Sequence, residues 1–125
     1  MDADAVILFA HGARDPAWAV PFEGVLARVR ERAPGCEAVL AFLEFMAPDL
    51  PTAIAALAAR GHRSIRVVPL FLGPGGHLRR ELPALVGAAR ADHPGLRIEL
   101  TPPAGEDAGV ADALAAFCVR PGAPG

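Results

Sequence analysis

Two imidazoles and a carboxylate stand just past three apolar runs of this sequence. His11 follows Ala5–Ala10, Glu44 follows Glu37–Leu43, and His77 follows Ile65–Leu72 and the loop Gly73-Pro74-Gly75-Gly76. Together they form a mixed nitrogen and oxygen donor set suited to borderline divalent cations such as Co2+, Ni2+, Fe2+ or Zn2+. Three protein ligands leave coordination positions open for substrate or water, as a reactive site requires. The same groups accept protons near neutral pH. Taken singly, a histidine at a strand end reads as a hydrogen-bonded structural residue, and a lone glutamate as a solvated one. Their convergence from three loops is what argues for chemistry. His62 and His93 precede apolar runs rather than follow them, which assigns them solvated surface positions on the opposite edge.

The elements that must position these residues follow from periodicity and punctuation. Ala5–Ala10 is continuously apolar, the pattern of a strand buried on both faces. Asp15 and Pro16 offer an N-cap and a first turn for a helix with Val20, Phe22, Val25, Leu26 and Val29 on one side, ended by Pro34-Gly35. Glu37–Leu43 reads as the second strand, and Pro48-Asp49 opens a helix through Leu50, Ile54, Leu57 and Ala58 that Gly61 closes. Ile65–Leu72 is the third strand, and a third helix runs from about His77 to Ala91 with Leu78, Leu82, Leu85, Val86 and Ala89 inward. Leu96–Leu100 is the fourth strand, and Asp107–Cys118 a fourth helix turning Val110, Leu114 and Phe117 to the sheet. The alternation predicts an α/β domain over residues 1–118: a doubly wound, four-stranded parallel sheet, order 2-1-3-4, with helices on both faces. Residues 119–125 carry two Pro and two Gly and are expected to form a flexible tail. In open sheets of this kind ligands bind outside the carboxyl ends of the strands, where His11, Glu44 and His77 fall.

Composition narrows the function classes. The 125 residues suit one domain, and 53% hydrophobic content supports a packed core. Fourteen acids against twelve bases give a net charge of -2, which provides no polybasic footprint for nucleic acid. All twelve bases are arginine, so lysine Schiff-base chemistry and the phosphate-loop lysine are absent. Gly73–Leu78 does not fit GxGxxG and lacks a GK[ST] ending. Ala10 stands where phosphohistidine mutases carry arginine before the His-Gly pair. Cys36 and Cys118 are too few for a disulfide framework and suit a reducing compartment. The opening Met-Asp-Ala-Asp is acidic where a secretory leader is basic, and no apolar run approaches the roughly 20 residues of a membrane span. The expectation is a cytoplasmic protein with no membrane partner.

The residues Leu8-Phe9-Ala10-His11-Gly12-Ala13-Arg14-Asp15-Pro16, then Ala41-Phe42-Leu43-Glu44, then Val67–Leu72 running into Gly76-His77-Leu78 and Leu82-Pro83, resemble the short CbiX-type sirohydrochlorin chelatases of the class II family. The resemblance covers roughly residues 5–118. It implies insertion of a divalent metal, Co2+ or Fe2+ (Ni2+ in a related form), into sirohydrochlorin for cobalamin or siroheme, with the metal as substrate and no ATP or organic cofactor. His11 and His77 would bind metal and accept pyrrole protons, and Glu44 would assist as ligand or relay. Phe45, Met46, Leu72 and Leu78 would wall the macrocycle. Arg14 and Arg79 with Arg80, and Gly75 and Gly76 at the helix start, would meet its carboxylates. Because larger relatives carry two such halves, the short form is expected to pair as a homodimer. Ala13 departs from the serine that the family commonly has after His-Gly. The competing reading is a non-catalytic module that carries metal or tetrapyrrole.

Overall fold

The computed structural model describes residues 2–73 and 75–122. Pro74 of the loop before His77, and residues 123–125 of the expected tail, lie outside the described residues. The strands are β1 (Ala5–Ala10), β2 (Glu37–Phe42), β3 (Ser64–Pro69) and β4 (Arg97–Leu100); the helices are α1 (Val20–Arg32), α2 (Leu50–Ala59), α3 (Gly76–Asp92) and α4 (Ala108–Cys118). The strands form one parallel sheet in the order β2-β1-β3-β4. All six β1 residues are buried, as a central strand covered on both sides requires.

The two faces are unequal. Ile7, Phe9, Ile65, Val67 and Ile98 pack under Leu50, Ile54 and Leu57 of α2 and Leu82, Val86 and Ala89 of α3. On the other face Val6, Leu8 and Ala38 meet Leu26 and Val29 of α1. The expectation that α4 packs Val110, Leu114 and Phe117 on the sheet is not met. No α4 residue is buried, and Leu114 and Phe117 are 41% and 58% exposed. The reason lies in the strands beneath. Arg66 of β3 pairs across the ladder with Glu99 of β4, so this part of the sheet offers a helix an ion pair rather than an apolar seat. A groove of about 390 Å³ separates Val110 from Val68 and Arg66.

Two further differences have local causes. The helix expected from Pro16 begins as a 3-10 turn over Pro16–Ala19, with Asp15 Oδ1 accepting from Ala17 N–H at 2.9 Å, and becomes α-helical only at Val20. Pro21 has no N–H to donate, so it is tolerated only in the first turn of an α-helix. β3 ends at Pro69, three residues short of the expected Leu72, because β1 runs out. The last bond across that ladder is Leu70 N–H to the Phe9 carbonyl at 2.8 Å.

At the amino edge, His62 is not the freely solvated residue that its Arg-rich turn predicts. Its Nε2 hydrogen-bonds Glu37 Oε1 at 2.7 Å, while Arg60 Nη2 donates to Glu37 Oε2 at 2.6 Å. The Arg60 guanidinium, and after it His62, hold the Glu37 carboxyl below the ordinary glutamate range. A carboxyl lowered on folding stabilises the fold above its unfolded value, about pH 4.3 for glutamate, and loses that contribution as pH falls through the lower folded value. Glu37→Gln should therefore cost at most about 1 kcal/mol at neutral pH, since the group is partly solvated. Urea titrations of parent and variant should converge below about pH 4; a gap that widened there would contradict the pairing.

Candidate active site

β1 and β2 end side by side at the carboxyl edge of the sheet, and their loops are stitched together. Leu43 N–H donates to the Ala10 carbonyl at 3.0 Å, and Glu44 N–H to the His11 carbonyl at 3.1 Å. This close approach depends on Gly12. Its φ is +92°, and a Cβ there would lie 1.9 Å from the Glu44 carbonyl oxygen. The result brings two of the sequence-predicted residues together: His11 Nδ1 is 3.8 Å from Glu44 Oε1 and 3.4 Å from the Gly12 carbonyl. Both side chains are about half exposed, at 51% and 48%, so a large substrate can reach them.

The same loop carries Phe45 and Met46, the residues expected to wall a macrocycle. Met46 N–H bonds the Glu44 carbonyl at 2.8 Å, closing a tight turn around Phe45, whose φ is +65°. A left-handed aromatic residue is conformationally costly, and here it stands 56% exposed beside the His11–Glu44 pair, with Met46 half-buried next to it. The Arg14 guanidinium lies 4.9 Å from the Phe45 ring centroid, a cation–π distance, and has no carboxylate partner among the described residues.

α3 carries the remaining residues. Gly75 is its N-cap, and Gly76 and His77 open it, all exposed. His77 Nε2 sits 2.7 Å from Glu81 Oε2, one helical turn on, with the imidazole 84% exposed. His77 is thus not gathered with His11 and Glu44. Among the described residues, no three His, Cys, Asp or Glu side chains cluster closely enough to hold an ion. Leu78, expected as an open apolar wall, is buried because it falls on the α3 face that turns inward with Leu82 and Val86. It lines instead a cavity of about 350 Å³ with Phe71, Leu82, Leu100 and Pro103. Leu72 is 72% exposed, and its backbone is fitted against Gly105, where a Cβ would lie 1.8 Å from the Leu72 carbonyl oxygen. Arg79 borders the cavity and is tied to Glu106 by Nη2–Oε2 contact at 3.2 Å, while Arg80 is exposed. Sequence reading missed Glu81 and Glu106. The i,i+4 spacing from His77 marked the first, whereas only the tertiary fold brings the second to Arg79.

Residues 5–118 match the CbiX family. The chain belongs to that family. A sirohydrochlorin cobaltochelatase of Methanocaldococcus jannaschii is 31% identical over 90 residues, 72% of this chain and 63% of that protein. The chain spans between 59% and 63% of the length of the first curated relatives it matches. The CbiX protein of Marinobacter aquaeolei VT8 superposes with a TM-score of 0.81 at 32% identity, over 91% of this chain and 92% of that one. The sirohydrochlorin chelatase SirB of Bacillus subtilis subspecies spizizenii, solved in complex with cobalt, gives a TM-score of 0.77 at 25% identity. The match covers 91% of this chain but 49% of SirB. This CbiX-family chain therefore has the size of one half of SirB, and it keeps the four-stranded α/β fold with His11 and Glu44 paired at its carboxyl edge.

Proposed function

We propose that this chain is a sirohydrochlorin chelatase that inserts Co2+ or Fe2+, without ATP or an organic cofactor. The observation that carries the reading is the exposed His11–Glu44 pair at the carboxyl edge of a CbiX-family sheet, with His77 at the head of the neighbouring helix. Insertion of M2+ into a macrocycle releases two pyrrole N–H protons while the metal sheds water. Imidazoles can both ligate the entering ion and take up those protons, and Glu44, 3.8 Å from His11, would relay one onward. Phe45 and Leu72 offer apolar surface to the faces of the ring, and Arg14 and Arg80 offer guanidinium groups to its peripheral carboxylates. With no three-residue cluster preformed among the described residues, the metal would be held jointly by the protein and the macrocycle. Absorbance-monitored metallation of sirohydrochlorin with Co2+, Fe2+ and Ni2+ in parallel tests this. Catalysed turnover supports the reading; binding with no rate above the spontaneous reaction makes the chain a carrier.

The working unit in this reading is a cytoplasmic homodimer. Two observations support pairing: the chain matches about half of SirB, and α4 leaves Leu114 and Phe117 exposed. Two-fold pairing would cover that helix and give a broad tetrapyrrole a second wall. Light scattering at micromolar concentration should give about twice the 12.9 kDa chain mass. A fully active species of monomer mass would contradict pairing.

A further inference from the structure

We infer that Glu81 is the positioning residue of His77, fixing which imidazole nitrogen faces the reaction; this rests on the chelatase reading of the same site. Glu81 Oε2 lies 2.7 Å from His77 Nε2. At that separation a carboxylate oxygen and an unprotonated ring nitrogen would set two lone pairs against each other, so Nε2 carries the proton and Nδ1 keeps the free lone pair. A second observation shows where the pair points. Glu81 lines a small cavity of about 140 Å³ with Phe9, Phe42 and Leu43. Leu43 adjoins Glu44, and Phe9 lies two residues before His11. The side of α3 bearing Glu81 therefore faces the ends of β1 and β2, and its carboxylate holds the 84% exposed imidazole by one ring nitrogen.

The two histidines become complementary. His11 turns Nδ1 toward the Gly12 carbonyl and Glu44, leaving Nε2 free, while His77 turns Nε2 to Glu81 and leaves Nδ1 free. An unheld side chain this exposed would spread over several rotamers, and each misplaced one removes a base from the ring centre. Carboxylates that orient a metal-binding histidine in this way are worth about 10- to 100-fold in affinity or rate.

The test uses the full chain with Co2+ and sirohydrochlorin, comparing parent, His77→Ala, Glu81→Ala and Glu81→Gln, each checked for fold by circular dichroism. Glu81→Ala should lower kcat about 10- to 100-fold with KM for the macrocycle little changed. Glu81→Gln, whose amide oxygen still accepts from Nε2–H, should return to within a few-fold of the parent. Long-range 15N–1H spectra should show the His77 proton on Nε2 in the parent and the Gln variant, and mixed tautomers in the Ala variant. Parent-like turnover in Glu81→Ala beside a deficient His77→Ala overturns the proposal and leaves the chelatase reading standing. Equal losses in Ala and Gln would make charge, not orientation, the working element and likewise overturn it. A parent His77 protonated on Nδ1 does so whatever the rates. Full activity in His77→Ala removes the chelatase role of this histidine and the proposal together.

Discussion

His77→Ala should lower the rate of cobalt insertion into sirohydrochlorin by about 10²–10⁴-fold, the usual range for loss of a general base. The fold should be untouched. His77 is 84% exposed at the first turn of α3, so its removal opens no cavity. In the proposed reaction both roles of His77 would be lost at once: a ligand for the entering ion and an acceptor for one pyrrole proton. His11→Ala should behave alike, and Glu44→Gln should fall between, since it keeps shape and loses charge. The controls are on the opposite edge. His62 is bonded to Glu37 at the first residue of β2, and His93 is the C-cap residue of α3. Their alanine variants should stay within a few-fold of the parent in rate, with His62→Ala losing a little stability. A near-normal His77→Ala beside an inactive His62→Ala would place the active edge at the wrong end of the sheet.

The other large effect should come from a residue with no side chain at all. Gly12→Ala must put a methyl 1.9 Å from the Glu44 carbonyl oxygen while holding φ near +92°. The left-handed backbone alone costs an alanine about 1–2 kcal/mol, and the clash is with main chain that cannot swing aside. Relief requires the β1 and β2 loops to part, which breaks the Glu44 N–H to His11 carbonyl bond and separates the imidazole from the carboxylate. We expect a drop in melting temperature of at least about 5 °C. Metallation should fall at least about tenfold, judged against what a 1 Å misplacement costs. The rate loss should persist at temperatures where the variant is fully folded. A variant with the parent's melting temperature and rate would show that the loops tolerate separation. Gly105→Ala meets the Leu72 carbonyl in the same manner but leaves the Gly12 contact with Glu44 intact, so it should cost stability more than turnover.

The sheet was legible in the sequence because its order rests on short-range signals. The continuous run Ala5–Ala10 can be accommodated only as a strand covered on both faces, and it is the fully buried β1. Pro48-Asp49 announces α2, and the Asp49 carboxylate caps Thr52 N–H at 2.9 Å. The carboxyl-edge placement of His11, Glu44 and His77 follows from parallel topology alone, since every strand then ends on the same edge. What the tertiary structure decided was anything that depends on two distant segments at once. The Arg66–Glu99 pair exists only where β3 meets β4, and it is the reason that α4 lies open. The inward turn of Leu78 follows from the rotational setting of α3 against the sheet, fixed by Leu82 and Val86. The pairing of His11 with Glu44 needs the backbone stitch at Gly12, and the partner of Arg79 is Glu106, twenty-seven residues on. Local patterns carry which residues reach an edge; side-chain contacts there are set by packing between segments that no single window of sequence contains.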